Sequence, residues 1–198
     1  MPNIVDYSIV LDRLTKQGLR SLYFNSGAFG FPANLATVSR GWMGPPDSSI
    51  RASVRPLVRQ AGPPFDATLS HALLSIWRSK LSGPVWAMPK SHWAYELEFG
   101  NRGWLRVLLN TIGVDAKQLA PLNNAAAIEF LPADELLFGI FTRDLLSHLV
   151  ASDFQLVFPG FSTICTIHTR CQLWWTTTDL ALVEHLDQLF PGDARTNT

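Results

Sequence analysis

Residues 162–177, STICTIHTRCQLWWTT, decide how the second half of the chain is read. They hold both cysteines of the sequence, with a histidine midway between them. The run is rich in β-branched and aromatic residues, which favour a pleated strand. Its apolar members also alternate: Cys165, Ile167, Cys171, Leu173 and Trp175 share one face, broken only by Thr169. Taken as one extended strand over 163–177, the spacing sets Cys165 and Cys171 on one face roughly 20 Å apart at 3.3 Å per residue, with His168 on the other. A tetrahedral metal site needs its ligands within a few Å, so that geometry excludes one. A turn at His168 and Thr169 would bring the thiols opposite each other, but neither residue is a favoured turn former and no fourth ligand is near. The cysteines therefore read as small core hydrophobes, with no metal and no cofactor implied.

Working outward, the same alternation recurs at Ile50, Ala52 and Val54 against Arg51, Ser53 and Arg55, a strand ending at Pro56. FDATLSHALLSIWRSKL opens on Asp66 as an N-cap and places Leu69, Leu73, Ile76, Trp77 and Leu81 at helical spacing. PVWAMP and HWAYELEF read as strands; in the second, Trp93, Tyr95, Leu97 and Phe99 oppose His92, Ala94, Glu96 and Glu98. GWLRVLLNTIG follows as a helix. Beyond it, AAAIEFLP reads as a strand, DELLFGIFTRDLLSHL as a helix, DFQLVFPG as a strand, and DLALVEHLDQLF as a closing helix capped by Asp179.

Both halves thus run strand, helix, strand, strand, helix. The expected fold class is α+β, an antiparallel sheet packed by helices, with two pseudo-repeats over 49–122 and 123–191 in a single domain of 1–198. An α+β domain without internal symmetry is the alternative. Residues 1–48 form an N-terminal segment with a helix near Val5–Leu14, a strand near Ser21–Phe24 and then a glycine- and proline-rich loop, and 192–198 is a tail expected to fray. The order of elements over 49–190 is similar to tandem effector-binding modules of the gyrase-inhibitor-like type. That resemblance implies two strand-helix-strand-strand units enclosing a ligand cleft with a key glutamate.

Composition narrows the function classes. The chain has 198 residues, 47% hydrophobic and 16% charged, with zero formal net charge, enough to bury a core and without a global pull toward nucleic acid or anionic lipid. Arg51, Arg55 and Arg59 make a small basic group without a reader motif. No apolar run reaches 18 residues and the N-terminus lacks a secretory pattern, so a soluble, cytoplasmic protein with no membrane partner is expected. Dinucleotide, P-loop, GxSxG, HExxH and EF-hand signatures are missing. GAFGFP, 27–32, reads as a turn, and Trp42 in GWMGPPDSS as a residue folded back over the core.

The candidate site follows from the faces opposite the cores. Thr166, His168, Arg170, Gln172 and Trp174 form one row, and His92, Glu96 and Glu98 the matching row of the first half. Were the strands to join in one sheet, His92, Glu96, Glu98, His168, Arg170, Gln172 and Trp174 would line a shared face for a small polar or cationic molecule, carboxylates supplying charge and Trp174 a cation–π plate. The competing explanation is an ordinary solvated sheet face. A non-catalytic ligand-binding module is the first expectation. A structural or regulatory protein working through protein contacts, as a homo-oligomer, is the second, and an acid/base enzyme using the same His and Glu groups the third.

Overall fold

The computed structural model describes residues 1–44 and 57–189. Strands form both in continuously buried runs and in alternating ones. β6 (Val85–Pro89), β7 (Ala127–Phe130), β8 (Phe154–Val157), β9 (Thr163–His168) and β10 (Gln172–Thr177) make the middle of the sheet. β1 (Asn3–Val5) joins β7 on one side. On the other, β4 (Val38–Met43) pairs with β10, and β5 (Leu57–Gln60) lies at the far edge. The order is β1-β7-β6-β8-β9-β10-β4-β5, antiparallel throughout except for the parallel β4–β5 pair. The α+β class is thereby shown, and the sheet draws strands from the N-terminal segment and from both halves of the chain.

Helices cover one face of the sheet. α2 (Phe65–Lys80) and α6 (Glu135–His148) pack on each other, with α4 (Arg102–Thr111) against α6 and α7 (Leu180–Leu189) against α2, β4 and β10. The stripe Leu69, Leu73, Ile76 and Trp77 of α2 is fully buried, as its spacing requires. It meets Phe130, Phe138, Phe154, Leu156, Cys165, Ile167, Leu173 and Trp175 in the principal core. Asp179 caps α7 by accepting from the Ala181 and Leu182 amides. Asp66 does not cap α2: Pro64 holds that position, and the Asp66 carboxylate instead takes Arg143 and Ser147 of α6.

A smaller core lies on the opposite face. α1 (Tyr7–Lys16), capped by Asp6, sets Tyr7, Val10 and Leu14 against Trp86, Met88, Ala127, Val157 and Ile164. A strap over 20–37, in which β2 (Arg20–Ser21) and β3 (Phe29–Gly30) pair antiparallel, then runs back across the sheet. Gln155 holds it as a strand would, its Oε1 accepting from the Phe29 amide at 2.7 Å and its Nε2 donating to the Phe29 carbonyl at 2.8 Å. At Gly27 the strap passes so close to β6 that a Cβ would collide with the Pro89 carbonyl oxygen and the Met88 side chain.

Three expectations need correction. Residues 163–177 are a hairpin and not one strand: His168 faces Gln172, and Thr169–Cys171 form the turn, with Arg170 at φ 65° and Cys171 at φ 58°. Cys165 therefore opposes Trp175, while Cys171 lies half-buried in the turn against Gly44. HWAYELEF is helical, a short turn α3 (Trp93–Tyr95) running into a π-helical turn over Glu96–Gly100. Without that strand, residues 92–99 lack the element that would match β9, and the order expected from the gyrase-inhibitor-like resemblance is broken there. Finally, residues 38–43 are a strand inside the sheet, with Trp42 in the core at 1% exposure. The strand expected over Ile50–Val54 lies outside the described residues.

Candidate functional site

At the end of the sheet that carries the β9–β10 turn, the antiparallel register lines up one residue from each of four neighbouring strands. Phe154 pairs with Ile167 and Pro89 with Phe154. One step further, Lys90, Asp153 and His168 stand in a row that Gln172 continues across the hairpin. Alternation turns all four side chains to the face opposite the main core. Asp153 is the hub: its Oδ2 lies 2.8 Å from His168 Nδ1 and 3.3 Å from Lys90 Nζ, and its Oδ1 accepts from the Thr169 amide at 3.3 Å. Burial works to raise the Asp153 pKa, but the hydrogen bond and charge of His168 and the charge of Lys90 outweigh it and leave the carboxyl below its ordinary value. His168 is oriented from its other side by Trp174, whose ring meets it edge-on with centroids 4.9 Å apart, and Trp174 Nε1 donates to Gln172 Oε1 at 3.2 Å.

A second polar group lies one residue along in each loop. Ser91 follows Lys90 and Ser152 precedes Asp153, and the hydroxyls of both donate to Oε1 of Glu96. Asn101 Nδ2 donates to Glu96 Oε2 at 2.6 Å, and the Asn101 amide to the Glu96 carbonyl at 2.8 Å. Glu96 is fully buried. Its carboxyl group ties the loop after β6, the loop before β8 and the start of α4 together beneath the row. A buried polar group is tolerated when all of its bonds are made, and it then fixes one geometry.

Between the row and the strap the sheet is only partly covered. Thr166, His168, Trp174 and Thr176 are part-exposed there. The strap and these strands enclose a cleft of about 260 Å³, lined by Phe29, Phe31, Leu35, Ile164, Thr166 and Thr176 among others. Gly41 stands opposite Trp174 on β4, so the residue paired with the indole puts no side chain over it.

Of the residues expected at the site, His168, Gln172 and Trp174 come together on this face, His168 and Trp174 part-exposed and Gln172 buried at 8% exposure. Arg170 lies in the adjoining turn. The other three belong to the helical segment. His92 is the N-cap of α3, its Nδ1 accepting from the Tyr95 amide at 3.2 Å; Glu98 is exposed; and Glu96 faces the loops from within. The row of carboxylates expected to face a cation is absent because residues 92–99 are not a strand. Lys90, Asp153, Ser91, Ser152 and Asn101 escaped the sequence reading, since their meeting depends on β8 lying between β6 and β9. No serine, threonine or cysteine is hydrogen-bonded to His168 among the described residues, so the pair of Asp153 and His168 has the form of an oriented base without a nucleophile. Burial pushes the Cys171 thiol up to about 11, with Asp66 adding to the shift, and the thiol is correspondingly inert. Among the described residues no group of three or more His, Cys, Asp or Glu side chains is placed to hold a metal, and no helix is long and apolar enough to cross a membrane. No family model, curated protein or solved structure matches the chain.

Proposed function

We propose that the chain is a small-molecule binding module whose ligand lies on the open sheet face between the strap and the row of Lys90, Asp153, His168 and Gln172. One observation carries this. Beside a half-open cleft stands a part-exposed indole plate, and around it His168 Nε2, Gln172 Nε2 and the Thr166 hydroxyl make no hydrogen bond to another described residue. An aromatic surface bordered by a few fixed polar groups is what small-molecule sites share. The pairing of His168 Nδ1 with Asp153 orients the ring and leaves Nε2 for a ligand, an acceptor when the ring is neutral and a donor when it is protonated. The test is a fragment screen followed by amide chemical shifts. The expected result is a set of hits whose shifts centre on Thr166, His168 and Trp174. Hits scattered over the surface, or none on this face, would refute the proposal.

A different observation favours contact with a second copy of the chain. Leu22, Tyr23 and Phe24 are consecutive and exposed to 55%, 70% and 93%. Their backbone is nonetheless held firmly: the Leu22 amide donates to the Ala28 carbonyl at 2.8 Å, and Ser21 Oγ and Ser26 Oγ both donate to the Tyr23 carbonyl. Beside this knuckle lies a groove of about 320 Å³ against Tyr7 and Leu11 of α1. A projection and a groove side by side on one surface suit a two-fold, in which each copy fills the other. Sedimentation equilibrium with Phe24→Ser tests this reading. Concentration-dependent dimerisation abolished by the substitution supports it, and a monomer at all concentrations refutes it.

A further inference from the structure

The chemical class of the ligand follows from which hydrogen-bonding capacity the fold leaves unused. Both carboxyl groups near the face are spent. Asp153 accepts from His168, Lys90 and the Thr169 amide, and Glu96, behind it, accepts from Ser91, Ser152 and Asn101. Every oxygen of the two carboxyl groups is thus already engaged, with three of about four acceptor sites taken in each. Donors remain. Lys90 uses one of its three ammonium hydrogens on Asp153, Gln172 has its acceptor engaged by Trp174 and its amide hydrogens available, and an imidazolium at His168 would offer Nε2–H. Lys90 Nζ and His168 Nδ1 lie within 3.3 Å of the same Asp153 oxygen, so the ammonium group and the imidazole stand close together with one negative charge between them.

Length and polarity complete the picture. Thr166 borders the cleft, and His168 is two residues further along the same strand face, about 6.6 Å. One end of that span sets Phe31 and Leu35 among Thr37, Thr166, Thr176 and backbone groups, and the other is rich in donors. The cleft, at about 260 Å³, is smaller than a drug-sized pocket.

We infer that the ligand is a small amphiphilic anion, a short aryl or alkyl carboxylate. Its apolar body lies over Trp174 and against Phe31 and Leu35 at the mouth of the strap cleft, and its carboxylate meets Lys90, with Gln172 and a protonated His168 as further donors. This rests on the binding face proposed above. It replaces the cation expected from the sequence, whose carboxylate partners lie elsewhere: Glu96 is buried among Ser91, Ser152 and Asn101, and Glu98 is exposed on the helical segment.

The experiment compares three probes of similar size on the full chain by amide chemical-shift titration: benzoate, benzamide and benzylamine. Charge-assisted hydrogen bonds are about twice as strong as neutral ones, so benzoate is expected to bind about tenfold more tightly than benzamide, with benzylamine weakest. Lys90→Met, checked for a wild-type-like spectrum, should weaken benzoate far more than benzamide and so remove most of that preference. If benzoate and benzamide perturb Thr166 and Thr176 equally, or benzylamine is preferred, the anion class is overturned while the binding face stands. If none of the three perturbs this face at millimolar concentration, the face itself is refuted, and the inference with it.

Discussion

Replacing Glu96 by alanine should be among the most damaging single changes available in this chain. The residue is 0% exposed, and its carboxyl group receives the Ser91 and Ser152 hydroxyls and the Asn101 amide. Truncation leaves Asn101 Nδ2 without its acceptor, removes the shared partner of two serines and opens a cavity beside Leu97 and Trp93. Stranding one buried donor costs about 1–3 kcal/mol, and breaking one side of a buried charged or strongly polar group costs about 3–5 kcal/mol overall. Loss of about 3–5 kcal/mol is therefore expected for Glu96→Ala. Glu96→Gln keeps an acceptor for Asn101 and offers its own amide hydrogens to the hydroxyls, which rotate to accept, so it should cost about 1–2 kcal/mol. Urea unfolding at fixed pH measures both. Amide exchange at Asn101 and Val150, whose N–H groups bond to Glu96 and Asn101, should accelerate first. An alanine variant within 1 kcal/mol of wild type would refute the view that this carboxyl group locks the two loops.

Other outcomes follow from the same geometry. Asp153, held below its ordinary pKa of 3.8 by His168 and Lys90 despite burial, contributes stability that is present above that value and lost as pH falls through its folded value; Asp153→Asn should lower the urea midpoint at neutral pH and flatten the acid limb. Gly27→Ala should cost about 1–3 kcal/mol through the clash with the Pro89 carbonyl, measured by thermal unfolding. Alkylation of native protein should be slow at both cysteines, because Cys165 is buried and the Cys171 thiol is raised to about 11; rapid labelling at neutral pH would contradict that environment.

The sequence carried the faces of the sheet further than its turns. In the β9–β10 hairpin each pair joins an odd residue to an odd one or an even to an even, as His168 to Gln172 and Cys165 to Trp175. Folding the expected single strand back on itself therefore left every strand residue on its expected face, which is why His168, Gln172 and Trp174 were found together. The turn itself was hidden because Arg170 and Cys171 adopt left-handed backbone without the Gly, Asn or Asp that usually marks it. Residues 92–99 misled for a different reason. Trp93 and Leu97 fit period two, but they are also four apart, and burying both with Glu96 from one helical face won once Ser91, Ser152 and Asn101 were present to satisfy the carboxyl group. Lys90 and Asp153 lay beyond any local pattern, since only the order of strands makes them neighbours.

The row at the turn end also constrains where the chain can tolerate insertion or loss. Lys90, Asp153, His168 and Gln172 come from four separate stretches, and each reaches the common face only if its strand keeps its phase. One residue added within β8 would carry Asp153 to the helical side and leave Lys90 and His168 facing each other with nothing between them. The same residue added in the loop over 158–162, after the last paired position of β8, would leave all four in place. The row thus works as a gauge of alignment, and lengthening the chain step by step at these two points would show which parts of the sequence count by position and which merely connect.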